Sequence, residues 1–291
     1  MKNVALTPLL GSGFFSCCVV LLVEIIQVLN LYGCFPAKVF TKSGFLLYKR
    51  FPEDEVFLTF FEPPQPDERD YSQKKKPVSK YSYYERAKGN IHKTHPQAVF
   101  DYWEQFCDYK KLKFDGLKSV VKKYFTPTKT ILDIKRALMA QYGIQPENCV
   151  GVYYRGTDKK SEVVECGYDN YYNKIKEVLQ PGQQLLIQTD SAPFLDYIKE
   201  KNITYITIKQ NDVSYTDKGI HFERTPAQNH EDMKYLLATV LILSECKTLI
   251  NCASNVSMWA VLFRGHGNGV YQWLGTHIKK KPDENTNRWC A

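Results

Sequence analysis

Apolar and polar positions along the chain change their rhythm near residue 148. Beyond it, short apolar runs alternate with amphipathic stretches. Val150–Tyr154, Gln184–Gln188, Ile203–Ile208 and Thr248–Asn251 read as strands, and Asp169–Leu179, Pro193–Lys201, Glu231–Cys246 and Val256–Phe263 as helices. Pro181-Gly182 punctuates the series as a turn. This succession implies a mostly parallel sheet with crossover helices. Upstream, the pattern predicts helices over Gln97–Tyr109, Asp115–Tyr124 and Thr128–Tyr142. In the last of these, Ile131, Ile134, Leu138 and Met139 lie close to helical spacing and Gly143 follows as a stop. The rhythm change places a lobe boundary between Tyr142 and Asn148, giving lobes 1–145 and 146–291.

The first residues suggest a second unit of the same kind. Val4-Ala5-Leu6 reads as a short strand, Gly11-Ser12-Gly13 as a tight turn, and Phe14–Leu31 as a helix that stops near Gly33. Strand, glycine turn and buried helix form the opening of a Rossmann-like unit. The dinucleotide fingerprint is not met, because Ser16 stands where its third glycine belongs. Phe14–Asn30 is apolar enough to raise a signal peptide or membrane anchor. Glu24 and Gln27 interrupt it, only Lys2 precedes it and no clear cleavage pattern follows, so a buried helix is preferred over a stable membrane span. Val56–Phe61 reads as a further strand, and Glu62–Lys80, rich in proline and charge, as a long exposed loop.

Three polar loops follow strands of the second half, where open α/β sheets bind ligands. The first runs from Arg155 to Glu162. The Arg155 guanidinium offers a fork of donors matched to a diphosphate, and Asp158 could orient it. An ordinary surface ion pair accounts for the same residues. The second is Thr189-Asp190-Ser191, whose carboxylate could meet a ligand or cap the next helix. The third is Ala253-Ser254-Asn255-Val256-Ser257, where Ser254 or Asn255 caps a helix whose N–H groups could meet an anion. Together they put an arginine, a carboxylate and a helix N-terminus after three strands of one sheet. That set suits a nucleoside diphosphate carrying a sugar.

Composition narrows the setting. The chain has 291 residues, 44% hydrophobic and 24% charged, as in a soluble globular protein, and its 20 tyrosines suit a polar, aromatic-lined cleft. The net charge of +8 lies partly in Lys74-Lys75-Lys76 and Lys279-Lys280-Lys281, read as solvated runs. No basic and aromatic repeat argues for nucleic acid. Nine cysteines, none in a C-x-x-C pair, point to reduced thiols and a cytoplasmic setting rather than disulfides or zinc. There the two glycosylation sequons, Asn202-Ile203-Thr204 and Asn255-Val256-Ser257, carry no meaning.

Tyr153-Tyr154-Arg155-Gly156-Thr157-Asp158-Lys159 resembles the His-x-Arg-Gly/Arg-Thr-Asp-Lys motif of the fucosyltransferase superfamily. Gln188-Thr189-Asp190 resembles its Ala-Thr-Asp. Leu243-Ser244-Glu245-Cys246 through Ser257 resembles its third motif, a helix ending in Leu-Ser, a strand and a serine-rich loop. Gly11-Ser12-Gly13-Phe14-Phe15-Ser16 resembles the first turn of the acceptor lobe. The resemblance covers roughly residues 148–264 well and the N-terminal half loosely.

It implies an α/β fold of GT-B type, with two Rossmann-like lobes and a cleft between them, lobe 1–145 on the acceptor side and 146–291 binding the donor. It also implies an inverting, metal-independent transfer of a sugar to a glycan or glycoprotein hydroxyl, with GDP-fucose the leading donor and no cofactor. No Asp-x-Asp is present to bind a metal. Arg155 would hold the diphosphate, Asp190 the base, and Ser254, Asn255 and Ser257 the phosphate or sugar. Gly11, Gly13, Phe14 and Tyr153 would line the donor site. Glu162 is the candidate general base and Asp158 the second choice. Of Asp212, His221, Glu223, Arg224 and His230, in the loop before the next helix, Arg224 is the one kept for donor binding. Two departures stand out: Tyr153 replaces the usual His, and Thr239 stands where relatives often carry Asp. They keep open a UDP-sugar donor such as UDP-xylose. A non-catalytic sugar-nucleotide or glycan-binding module is the alternative of another class.

Overall fold

The computed structural model describes residues 3–5, 12–36, 38–64, 98–282, 284 and 286–290. Its contacts divide the chain into two compact units. One takes Met1–Tyr102, Lys113–Thr128 and Thr225–His230; the other takes Trp103–Leu112, Lys129–Arg224 and Glu231–Ala291.

In the first unit, strand β1 (Asn3–Ala5) and strand β2 (Lys38–Phe40) pair in parallel across helix α1 (Phe14–Tyr32). This is the strand–helix opening expected from sequence, with β1 beginning one residue earlier. Gly13 starts α1 in an extended conformation and Gly33 ends it at φ 68°, a left-handed cap that glycine adopts without strain. The stretch Phe14–Leu31 has a mean hydropathy of 2.2 and is long enough to cross a membrane, yet 72% of it is buried inside the protein.

Phe14 sits in a nest of rings from Phe15, Phe45, Tyr48, Phe60 and Phe61, with centroids 4.7–6.1 Å from its own. That nest explains a correction. Val56–Phe60 is helix α2, not the strand its β-branched and aromatic composition predicts. Val56, Phe57 and Phe60 are buried while Leu58 is exposed, a helical spacing imposed by packing against the nest. Helix α3 (Phe114–Tyr124) also belongs to this unit.

The second unit is a five-stranded sheet in the order β4-β3-β5-β6-β7. Helix α4 (Lys129–Tyr142) leads into β3 (Cys149–Tyr154), which is buried at every position. Then come α5 (Tyr168–Val178), β4 (Gln184–Thr189), α6 (Ala192–Glu200), α7 (Pro226–Glu245), β5 (Thr248–Cys252), α8 (Asn255–Arg264), β6 (Val270–Leu274) and β7 (Arg288–Cys290). Strands β3 to β6 are parallel, and β7 runs antiparallel along β6.

A parallel strand is covered on both faces. On one face of the sheet, Val150, Val152, Tyr154, Ile250 and Cys252 pack with Tyr171, Ile175, Phe194 and Ile198. On the other, Gly151 lets α7 approach so closely that an added Cβ would lie 2.9 Å from Leu243 Cδ2 and 3.0 Å from Cys246 Sγ.

Three further expectations change. Ile203–Ile208 is not a strand; it touches the outer edge of β4 through a single parallel bridge, Leu186 to Ile206. Gln97–Tyr109 is not one helix: Gln97 lies outside the described residues, and the rest holds the short 3-10 turn Tyr102–Phe106, with a second at Tyr109–Lys111. Helix α7 begins five residues before Glu231. Thr225 caps it, accepting from Gln228 N–H at 3.3 Å, while Gln228 Oε1 accepts from Thr225 N–H at 3.0 Å, a reciprocal capping pair. Most of the predicted loop Glu62–Lys80 lies outside the described residues.

Candidate active site

Strands β4, β3 and β5 lie side by side and run in the same direction, so their C-terminal ends bring the three polar loops together. Arg155 follows the end of β3, with its side chain 16% exposed, and forms ion pairs with both Asp158 and Asp190. Asp190 does more than neutralise it. Its Oδ1 accepts from Gly156 N–H at 2.9 Å and its Oδ2 from the Thr157 hydroxyl at 2.6 Å. A two-carboxylate frame thus fixes the guanidinium within the loop. Helix capping falls to Ser191 instead, which accepts from Phe194 N–H at 3.4 Å. Gly156 is required by space: a Cβ there would lie 2.6 Å from Tyr154 Cε1 and 2.8 Å from Ser191 Cβ.

The next turn carries the carboxylates. Lys159, nearly fully buried, donates to Glu162 Oε2 at 2.6 Å and to Gln105 Oε1 at 3.2 Å, with its ammonium 4.9 Å from the Phe106 ring centroid. Glu162 is thereby oriented, and its side chain remains 43% exposed. Burial holds the Glu165 carboxyl above its ordinary range. Glu165 lines a small cavity with Arg155, Lys159, Ala253 and Trp273.

At the end of β5, Ser254 caps α8 by accepting from Ser257 N–H at 3.1 Å, and the two hydroxyls lie 2.8 Å apart. The Tyr109 hydroxyl braces this turn, donating to Ser254 O and accepting from Ser254 N–H, each at 3.0 Å. A helix start leaves N–H groups without intrahelical partners. Those of Asn255 and Val256 are at this end, where the macrodipole favours an anion.

The remaining expected residues are placed differently. Tyr153 is buried on β3, and burial pushes its hydroxyl up to about 12. Beside it in register, Gln188 on β4 accepts from Asn211 Nδ2 at 2.9 Å, and Asn211 also donates to Thr239 Oγ1 at 2.8 Å. Arg224 is held by Asp212. Glu223 accepts from the Thr216 hydroxyl at 2.8 Å. Gly13 and Phe14 belong to the first unit, where Phe14 is a core ring whose N–H donates to the Tyr48 hydroxyl at 2.9 Å. His230 lies there as well, its Nδ1 2.9 Å from Tyr48 O. Gly11 lies outside the described residues.

Gln105 and Tyr109, which support Lys159 and Ser254, gave no signal in the sequence. They come from a segment read as an ordinary helix and reach the site only through the fold.

Neither a protein-family model nor a curated protein sequence matches the chain. Solved structures do. The chain is similar to the NodZ α-1,6-fucosyltransferase soaked with GDP-fucose, with a TM-score of 0.57 and 15% identity over 99% of this chain and 97% of that one. Against the NodZ fucosyltransferase from Bradyrhizobium the TM-score is 0.55, with 14% identity over 95% and 97%. Against NodZ co-crystallised with GDP it is 0.56, with 14% identity over 99% and 96%. At such identities the likeness defines the fold: an α/β architecture with a mostly parallel sheet, of the NodZ fucosyltransferase type. The resemblance read from the three motifs extends to structural similarity over nearly the whole chain.

Proposed function

We propose that the protein is an inverting, metal-independent glycosyltransferase that uses a sugar nucleotide, with GDP-fucose as the leading donor and a glycan or glycoprotein hydroxyl as acceptor. The observation that carries this reading is Arg155, framed by Asp158 and Asp190 beside the start of α8. The fold is shared with enzymes whose structures were determined with GDP-fucose and GDP.

Negative charge grows on the diphosphate as the glycosidic bond breaks. A preorganised guanidinium and helix N–H groups act most strongly on that charge. Glu162, steered by Lys159 and open to solvent, takes the proton of the acceptor hydroxyl as it attacks the sugar. Asp158 is the second candidate, although its carboxylate is engaged with Arg155. We assign Asp190 to anchoring the arginine loop rather than to the base, because its oxygens are already shared among Arg155, Gly156 and Thr157.

This reading keeps the GT-B plan, and assigns the donor side to the unit that carries the five-stranded sheet and the acceptor side to the other. A cytoplasmic setting is part of it, supported by nine free cysteines. Arg155→Ala should abolish both donor binding and transfer; normal activity in that variant would sink the proposal.

One observation favours a second donor. Tyr153 and Thr239 stand where the family it resembles usually has His and often has Asp, and both are fixed in place, Tyr153 by burial and Thr239 by the Asn211 hydrogen bond. A thermal-shift panel of nucleotide sugars, with and without divalent metal, decides the matter. Stabilisation by GDP and GDP-fucose alone selects the first donor, and stabilisation by UDP-xylose the second.

A further inference from the structure

The loop leading from Asn211 to Arg224 folds over the arginine loop. Two contacts fasten it there. Lys160 Nζ pairs with Asp217 at 2.5 Å. Gly219 lies so close that an added Cβ would be 2.8 Å from Asp158 Oδ2 and 2.8 Å from His221 Cε1. The Asp158 carboxylate and the His221 imidazole therefore meet at Gly219. His221 sits on a 3-10 turn, Ile220–Phe222, with its ring 4.2 Å from that of Phe222. It is half-buried, and the charges of Arg155 and Asp158 act on it in opposite directions.

We infer that His221 is a second, proton-dependent ligand for the diphosphate that Arg155 holds. The inference rests on the glycosyltransferase reading above and adds to it a residue, a charge and a pH window.

The charge logic follows from the groups that face the imidazole. From the arginine loop these are Arg155 and Asp158; on its own loop Lys218 and Glu223 are charged neighbours in sequence, with Glu223 engaged by Thr216 and Asp217 by Lys160. Burial first, and the Arg155 cation second, hold the imidazole below the ordinary histidine range, while Asp158 acts against them. In the free protein His221 thus holds its proton less tightly than an ordinary histidine does. A diphosphate brought to Arg155 reverses the sign of the field at the ring: it neutralises the guanidinium and adds negative charge beside His221. The imidazole then takes up a proton and donates to a phosphate oxygen. No bond is made or broken; one proton moves from solvent to the ring. The sign is fixed by linkage: a group that binds its proton more tightly in the complex makes binding tighten as pH falls. The limit is about tenfold per pH unit, between the pKa of the free protein and that of the complex.

Isothermal titration of GDP-fucose tests this, because a diphosphate esterified at both ends has no proton of its own to exchange near neutrality. UDP-xylose replaces it if the panel ranks that donor first. Measured in buffers of different ionisation enthalpy between pH 6 and 8, the parent protein should take up protons on binding. His221→Gln should abolish the uptake, flatten the pH dependence and weaken binding about tenfold at the acid end. Proton NMR of the six histidines in the full chain gives a second readout that does not depend on the variant's folding. One Cε1–H resonance should shift its titration midpoint upward when the nucleotide sugar is added.

Binding with no proton uptake, or uptake that persists in a folded His221→Gln protein, overturns the inference and leaves the glycosyltransferase reading intact. If neither nucleotide sugar binds, or Arg155→Ala binds as the parent does, the diphosphate reading falls and this inference with it.

Discussion

The aromatic nest around Phe14 is buried throughout, and the arginine loop after β3 is buried only in part. They are held by opposite means. In the nest, rings pack edge to face and tilted, and the stabilisation is removal of apolar surface from water, without direction. In the loop, one guanidinium, two carboxylates, a hydroxyl and an amide fix each other's directions. Such a frame is weak evidence for stability, because desolvation of the charges offsets their attraction. It is a way to hold a charge at a chosen point and angle. The nest stabilises one unit; the loop presents a tool in the other.

That contrast can be broken by substitution. Phe14→Ala should cost about 4 kcal/mol of unfolding free energy, read from urea denaturation. If stability were unchanged and only donor binding fell, the nest would belong to the binding surface and the contrast would fail. Gly156→Ala should cost about 2 kcal/mol, because the new methyl cannot fit between Tyr154 and Ser191 without displacing the loop. Its larger effect should be on nucleotide-sugar affinity, measured by titration calorimetry; an unchanged affinity would show that the loop's geometry is not what binds.

Ser254→Ala should cost about 1 kcal/mol in thermal or urea unfolding through the lost cap. Ser254→Asp should recover the cap while weakening the affinity for a diphosphate by placing an anion at the helix start. Equal affinity in Ser254→Asp and the parent would argue against an anion at α8.

Glu165→Gln gives the smallest effect and sharpens the comparison through pH. Burial raises the Glu165 carboxyl, with Lys160 opposing and Asp217 adding to the rise. A carboxyl raised in the fold supports stability below the unfolded-state range, and that support is lost as pH climbs through the folded-state value. The Gln variant should therefore melt about 2 °C higher than the parent at pH 7, a modest gain because the group is only half buried. The gain should shrink towards zero by pH 4. A gain that grew towards acid would mean that Glu165 is stabilised as an anion.

Legibility from sequence followed the same division. The sheet of the second unit could be read because buried parallel strands are continuous apolar runs set off by turns, as Val150–Tyr154 and Thr248–Cys252 are. Its three loops could be read because each follows such a run. In the first unit the signal failed where packing overrode composition: Val56–Phe60 has the residues of a strand and the spacing of a helix. The start of α7 was legible in principle, since Thr225-Pro226-Ala227-Gln228 has the form of a capping box with proline at the first helical position. Strands β6 and β7 are short, and Trp273 facing Trp289 across them is a pairing that only the fold supplies. The anchoring work of Asp190 was invisible for a related reason: its partners lie on a different strand's loop.

The register of β3 bears on how the protein folds. Its neighbour β4 follows after one helix, but its other neighbour, β5, enters through the pairing of Val150 with Thr248. This is the longest closure in the five-stranded sheet, and contacts of that span form slowly because chain entropy must be lost before they stabilise anything. On a ribosome, β3, α5, β4 and α6 emerge well before β5. During that interval one edge of the strand that leads to Arg155 stays unpaired, a template for non-native pairing until the last third of the unit has been made.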